Sequence, residues 1–177
     1  VLLAVLKSGD LFGEMSLIEN KPRSASAVAF EDAVLLAVNK ENFARMVTSQ
    51  PQIISRLTTV LAERIWFIYK QLANTLLTDN VGKLYDALLI QLEKSKVSIR
   101  AGEAYTFDFG PKELINMVGL PMGEGIEAGR QLLSNSKVRA MENRIYTSDV
   151  EEIAKQAQYY RKMQRIERAR KTQRRIS

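Results

Sequence analysis

Two glycines, a glutamate and an arginine in one short window carry the chemistry of this sequence. The run Gly9-Asp10-Leu11-Phe12-Gly13-Glu14-Met15-Ser16-Leu17-Ile18 is followed closely by Pro22-Arg23-Ser24-Ala25-Ser26-Ala27. Glycine allows tight turns and lets backbone N–H groups approach a ligand closely. Glu14 can accept hydrogen bonds from ribose hydroxyls, while Arg23 with Ser24 can hold an anion through charge-assisted bonds. Singly, Gly9-Asp10 would also fit a hairpin turn, Glu14 a solvated strand residue and Pro22-Arg23 a loop with a surface cation. Occurring together, they describe a cradle for a small phosphorylated sugar.

The cradle must be positioned by what surrounds it, and the hydrophobic period changes along the chain. Up to Val38 the apolar pairs and alternations, such as Ala25, Ala27, Ala29 and Val34-Leu35-Leu36, are punctuated by Gly9, Asn20-Lys21-Pro22 and Glu31-Asp32. That pattern predicts an all-β segment. Asn39 or Lys40 opens a short helix over 41–47, and Pro51 starts a much longer one reaching about Leu77. Ile54, Leu57, Leu61, Ile65, Ile68, Leu72 and Thr75 recur at spacings of three and four, which predicts a seam for a second helix. Trp66, Phe67 and Tyr69 give the same helix a second apolar face. A helix apolar on two sides is best satisfied by its own domain on one and a partner chain on the other.

Composition narrows the possibilities. The 177 residues are 46% apolar, enough for one large or two small domains with a real core. Cysteine and histidine are both absent. Disulfides, His-dependent catalysis and Cys- or His-ligated metal are therefore excluded within these residues, no metal is expected, and the usage fits a reducing cytoplasm. The longest apolar runs, Val1 to Leu6 and Ala33 to Val38, are strand-sized, so no membrane association is expected.

The pattern Phe-Gly-Glu-x-x-Leu-Ile, then Pro-Arg-x-Ala-x-Ala, resembles the phosphate-binding cassette of cyclic-nucleotide-binding domains, as in the CRP/FNR family of bacterial transcription regulators. The resemblance implies a cyclic nucleotide as effector. Gly13 would offer a backbone contact, Glu14 would bind the ribose 2′-hydroxyl, and Arg23 with Ser24 would take the cyclic phosphate. It also implies an α+β fold: a partial jelly-roll-like barrel over 1–48, a central helix over 49–79 and a winged helix-turn-helix over 80–147, followed by a basic helix or tail over 148–177. The central helix would form a homodimer through residues 51–77. Because the family's barrel has several strands before the cassette and this chain has room for one, the sequence resembles a fragment. In the family's iron–sulfur members the cluster ligands would lie in that preceding part.

Counted from Pro51, Asn74 and Asp79-x-x-Gly82 fall where regulators of the cAMP type have an Asn and a hinge, and Asp79 is placed to cap the next helix. The positions that present hydroxyls to adenine in cAMP receptors are Ile68 and Tyr69 here. Ile68 cannot hydrogen-bond an amine, whereas Tyr69 can bond or stack on a purine from a different geometry. Sugar and phosphate recognition read as retained and base recognition as altered.

After an amphipathic helix with Leu84, Leu88, Leu89 and Leu92, the spacing from Leu114 to Val118-Gly119-Leu120 resembles the first helix and turn of a CRP-type helix-turn-helix. Val138 to Met141 and Arg144 to Thr147, joined by Glu142-Asn143, fit a wing hairpin. Lys112, Glu124, Glu127 and Arg130 are the candidate DNA contacts. The reading segment departs from the family: three of the chain's nine glycines lie in Pro121 to Arg130. Each disfavours a helix by roughly 1 kcal/mol relative to Ala. Weak helicity and an acidic face predict relaxed or lost base reading.

Ser148-Asp149-Val150-Glu151 resembles a capping box, from which a helix would run through Ile153, Ala157, Tyr160 and Ile166 into a basic end. Residues 161–177 hold eight Lys or Arg against one acid, Glu167, while the whole chain carries only +6. Either this is a solvated helix end, or it is an electrostatic arm for nucleic-acid phosphates. No catalytic constellation is visible. The expected function is ligand-gated transcription regulation. The alternatives are a cyclic-nucleotide sensor whose C-terminal domain binds a protein partner, and the regulatory part of an enzyme.

Overall fold

The structure, a computed structural model, describes residues 6, 8–19, 22, 23 and 25–176, with backbone alone for 17–19 and 174–176. The chain divides into two units, 1–60 and 61–177.

In the first unit, α1 (Glu14–Glu19) follows Gly13, whose φ of 76° only glycine adopts without strain. α2 (Lys40–Ser49) starts at Asn39, whose side chain accepts the Asn42 N–H at 2.8 Å. α3 (Gln52–Thr75) follows Pro51, with its residues up to Val60 counted in this unit and the rest in the second, and carries Thr58 and Thr59 hydroxyls turned back onto the carbonyls of Ile54 and Ser55. The all-β expectation for 1–38 is corrected: among the described residues this stretch contains α1 and no strand. A strand needs a neighbour for its ladder, and the described residues supply none to 25–38. Val28, Phe30, Val34 and Leu36 are accordingly left exposed.

The second unit is packed. α4 (Asn80–Lys94) is capped by Asp79, whose carboxylate accepts the Gly82 N–H at 2.7 Å. Its residues Leu84, Leu88 and Leu92 recur every four positions on one face, and all three are fully enclosed. β1 (Tyr105–Phe107), β2 (Val138–Met141) and β3 (Arg144–Thr147) form an antiparallel sheet in the order β1-β3-β2. β2 and β3 take the bounds read from the sequence, with Glu142 at a φ of 53° in the connecting turn. Phe107, Val138 and Ile145 from the sheet join Leu114, Leu132, Val150 and Ile153 in one core.

Between β1 and β2 lie α5 (Pro111–Met117) and α6 (Met122–Leu133). Pro111 stands at the first helical position, and the Glu113 carboxylate accepts the Gly110 N–H at 3.1 Å. Gly119, at a φ of 67°, makes the turn between the two helices. The expected weakness of the segment from Pro121 is corrected, because α6 is a continuous helix. A Cβ on Gly125 would lie 2.3 Å from Ile115 Cγ2, and one on Gly129 would lie 3.7 Å from Ile115 Cδ1. Gly125 lets α5 and α6 approach, and that burial offsets its helix cost, whereas a side chain at Gly129 would meet Ile115 at ordinary contact distance. Gly123 alone faces open space.

α7 (Val150–Ile176) closes the chain. Its cap is also a correction, since Asp149 and not Ser148 accepts the Glu151 N–H, at 3.1 Å. The same oxygen accepts the Gly102 N–H at 3.1 Å, tying the loop before β1 to the helix start.

Candidate ligand cradle and nucleic-acid interface

The cradle residues that are described lie together. Arg23 donates from a guanidinium nitrogen to the Gly13 carbonyl oxygen, and the Ser16 hydroxyl donates to the same oxygen at 2.9 Å. A Cβ on Gly13 would sit 2.0 Å from that Arg23 nitrogen. Only glycine admits the guanidinium there, and the positive φ independently demands it. Arginine has five N–H donors in a rigid fork, so one bond to Gly13 orients the group and leaves donors for an anion. Gly13 and Glu14 are half-buried and Arg23 is exposed. Glu14 opens the first turn of α1. Ser24 lies outside the described residues. Tyr69 is exposed on α3 within the second unit.

On the second unit, the candidate DNA contacts are all exposed, and three of them are already engaged. Glu127 forms an ion pair with Arg130 at 3.0 Å and accepts from Gln131 at 3.3 Å. Glu124 accepts from Asn80 at 2.9 Å. The acidity of α6 is therefore partly neutralised from within the protein. Lys112, on the first turn of α5, has no ion-pair or hydrogen-bond partner among the described residues. The outward side of α6 also shows Met122 and Ile126, both about half exposed.

Sequence reasoning missed the cluster that fixes the corner between α3 and α4. Asn74, buried near the end of α3, donates to the Lys83 carbonyl at 2.8 Å and to the Asp86 carboxylate at 3.0 Å. The other Asp86 oxygen receives Arg161 of α7. Asp86 is 1% exposed, so these bonds replace the water it loses. The available signal was a lone carboxylate amid the buried residues of α4, which asks for a partner. Gly82 has a related role, since a Cβ there would come within 2.7 Å of Tyr160 Cβ. It is where α7 crosses α4. Burial pushes the Tyr85 and Tyr160 hydroxyls up from their ordinary range, and Tyr85 accepts from Asn135 at 3.0 Å.

Among the described residues, no helix is long and apolar enough to cross a membrane, and no group of three or more acidic, His or Cys residues could hold a metal. Residues 1–50 match the cyclic nucleotide-binding domain family. The chain is 46% identical over 63 residues to the cyclic AMP receptor protein of Thermus thermophilus, covering 36% of this chain and 29% of that protein. It is 24% identical over 156 residues to a CRP-like cAMP-activated global transcriptional regulator of Mycobacterium tuberculosis, covering 88% of this chain and 70% of that one. Among solved structures, the catabolite activator protein of Thermus thermophilus matches at 26% identity and a TM-score of 0.39, covering 89% of this chain and 71% of that one. Residues 1–50 are thus similar to cyclic nucleotide-binding domains, and the chain as a whole is similar to CRP-like regulators, of which it spans between 29% and 70% of the length.

Proposed function

We propose that this chain is part of a ligand-gated, DNA-binding transcription regulator, with a cyclic nucleotide as effector. The observation that carries the reading is the Gly13–Arg23 contact, which presents a guanidinium over a glycine turn at the start of a helix. Gly13, Glu14, Arg23 and Ser24 hold the ribose and cyclic phosphate, and Tyr69 meets the base. Residues 51–77 pair two chains, which the exposed Ile65, Ile68 and Leu72 on α3 support. In the second unit, α5, the Gly119 turn and α6 act as a helix-turn-helix, with the β2–β3 hairpin as its wing. The regulatory reading makes it no enzyme. Ligand favours one packing of the paired helices, and the Asp79 corner passes that choice to the DNA-binding parts as a change in their spacing.

Calorimetry on the full-length protein tests the cradle. Arg23→Ala is expected to lose at least roughly 2 kcal/mol of cyclic-nucleotide affinity with the fold intact; near-native affinity would reject the phosphate assignment. Sedimentation tests the pairing, because Leu61→Glu with Ile68→Glu would bury like charges in an apolar seam and should yield monomers. A dimer that survives would place the seam elsewhere. A second reading has one observation in its favour: Met122 and Ile126 make the outward side of α6 partly apolar, which suits a protein partner in place of DNA.

A further inference from the structure

The C-terminal helix is fastened to the second unit along only part of its length. Val150, Ile153 and Ala157 are fully enclosed, and Tyr160 crosses α4 at Gly82. Immediately after it, Arg161 reaches Asp86. Gln164 then donates to the Leu76 carbonyl at 2.7 Å and accepts the Thr78 N–H at 3.0 Å, and Arg168 donates to the same carbonyl at 3.0 Å. Leu76 lies just past the end of α3, where helix carbonyls lack intrahelical partners. α7 therefore satisfies the end of α3 and is itself held at the corner.

Past Arg168 the side chains of 169–173 are all exposed, and the helix continues to Ile176. At 1.5 Å per residue that is roughly 12 Å of helix beyond its last fastening. Lys162, Arg165, Arg170 and Lys171 are exposed and make no ion pair or hydrogen bond with any described residue. Residues 161–177 carry eight basic side chains and one acid, so they account for the entire positive balance of a chain whose total is +6. Like charges one helical turn apart, such as Arg165 and Arg168, destabilise an isolated helix, and a polyanion laid along it removes that repulsion. Met163 and Ile166 are the only large apolar side chains described on this stretch, too few for a helix lying in a membrane surface.

We propose that the basic half of α7 is a phosphate-binding arm for duplex DNA, separate from α6 and held in a set position by Arg161, Gln164 and Arg168. It rests on the DNA-binding reading above and adds a second surface to it, one that supplies affinity without sequence information. The test is fluorescence anisotropy of the full chain with its preferred duplex and a random duplex across a salt series. The probes are the quadruple variant Lys162→Gln, Arg165→Gln, Arg170→Gln, Lys171→Gln and, independently, a chain ending after Arg168. Both should weaken binding to the two duplexes alike by at least about tenfold, and should flatten the salt dependence by roughly 0.9 in slope for each phosphate no longer neutralised. Discrimination between the duplexes should stay unchanged. If the wild type discriminates and both variants bind as it does with the same salt slope, the arm is overturned while the DNA reading stands. If the wild type binds neither duplex, the DNA reading fails and takes the arm with it. Tighter binding to phosphatidylserine vesicles than to duplex would overturn the choice of partner.

Discussion

Val34 and Leu88 both sit in apolar stretches of this chain, yet one is fully exposed and the other fully enclosed. Around Leu88 everything an apolar helix face needs is present: α5 and α6 meet across Gly125, the sheet adds Phe107 and Ile145, and α7 covers the rest. Around Val34 the described residues offer no strand to complete a ladder. Hydrophobic pattern specifies a face and not the partner that covers it. Local devices are different in kind, since the Gly13 turn, the Asn39 cap and the Arg23 contact form in the first unit although its apolar residues stay exposed.

The largest expected effect breaks the comparison along that line. In this 177-residue chain, Leu88→Ala should cost the second unit about 2–5 kcal/mol, as enclosed leucines do. Val34→Ala should stay within about 0.5 kcal/mol. Denaturant titration checks both, and equal losses would mean that Val34 is covered in solution.

A smaller effect sharpens the role of local devices in the second unit. The Asp149 carboxyl is held below its ordinary value of 3.8, first by the Gly102 N–H and also by Lys137 and the backbone at the start of α7. The folded chain thus binds fewer protons than the unfolded one in acid. The stabilisation is complete above the unfolded value and is lost as pH falls through the lower folded one. Asp149→Asn should therefore be less stable than the wild type near neutrality and converge with it in acid, removing this acid-limb dependence, as acid titrations of both forms would show. Identical acid limbs would remove Asp149 from the account.

Much of the second unit was legible because its signals are local. The Asp79 cap, the Gly119 turn and the bounds of β2 and β3 each depend on a few adjacent residues. What was misread depends on distance. The strand reading of 25–38 assumed partners the described residues lack, and the helix cost of Gly125 was counted without Ile115, which makes that glycine necessary. Asp86 and Arg161 stand 75 residues apart, beyond the reach of any periodicity. In the cradle, Gly13 and Arg23 were read as neighbours of one ligand, and the structure adds that they bond each other. The Ser148 cap failed for a subtler reason: Asp149 also reaches Gly102, a tie that no reading of the helix start alone contains.

The most direct test of a ligand-gated regulator is DNA affinity of the full-length protein measured with and without cyclic nucleotide, in the wild type and in Arg23→Ala. The account predicts that nucleotide changes the affinity of the wild type by at least about fivefold, the lower end of ordinary allosteric coupling, and leaves Arg23→Ala unmoved. A wild type whose DNA affinity is the same with and without saturating nucleotide would contradict it.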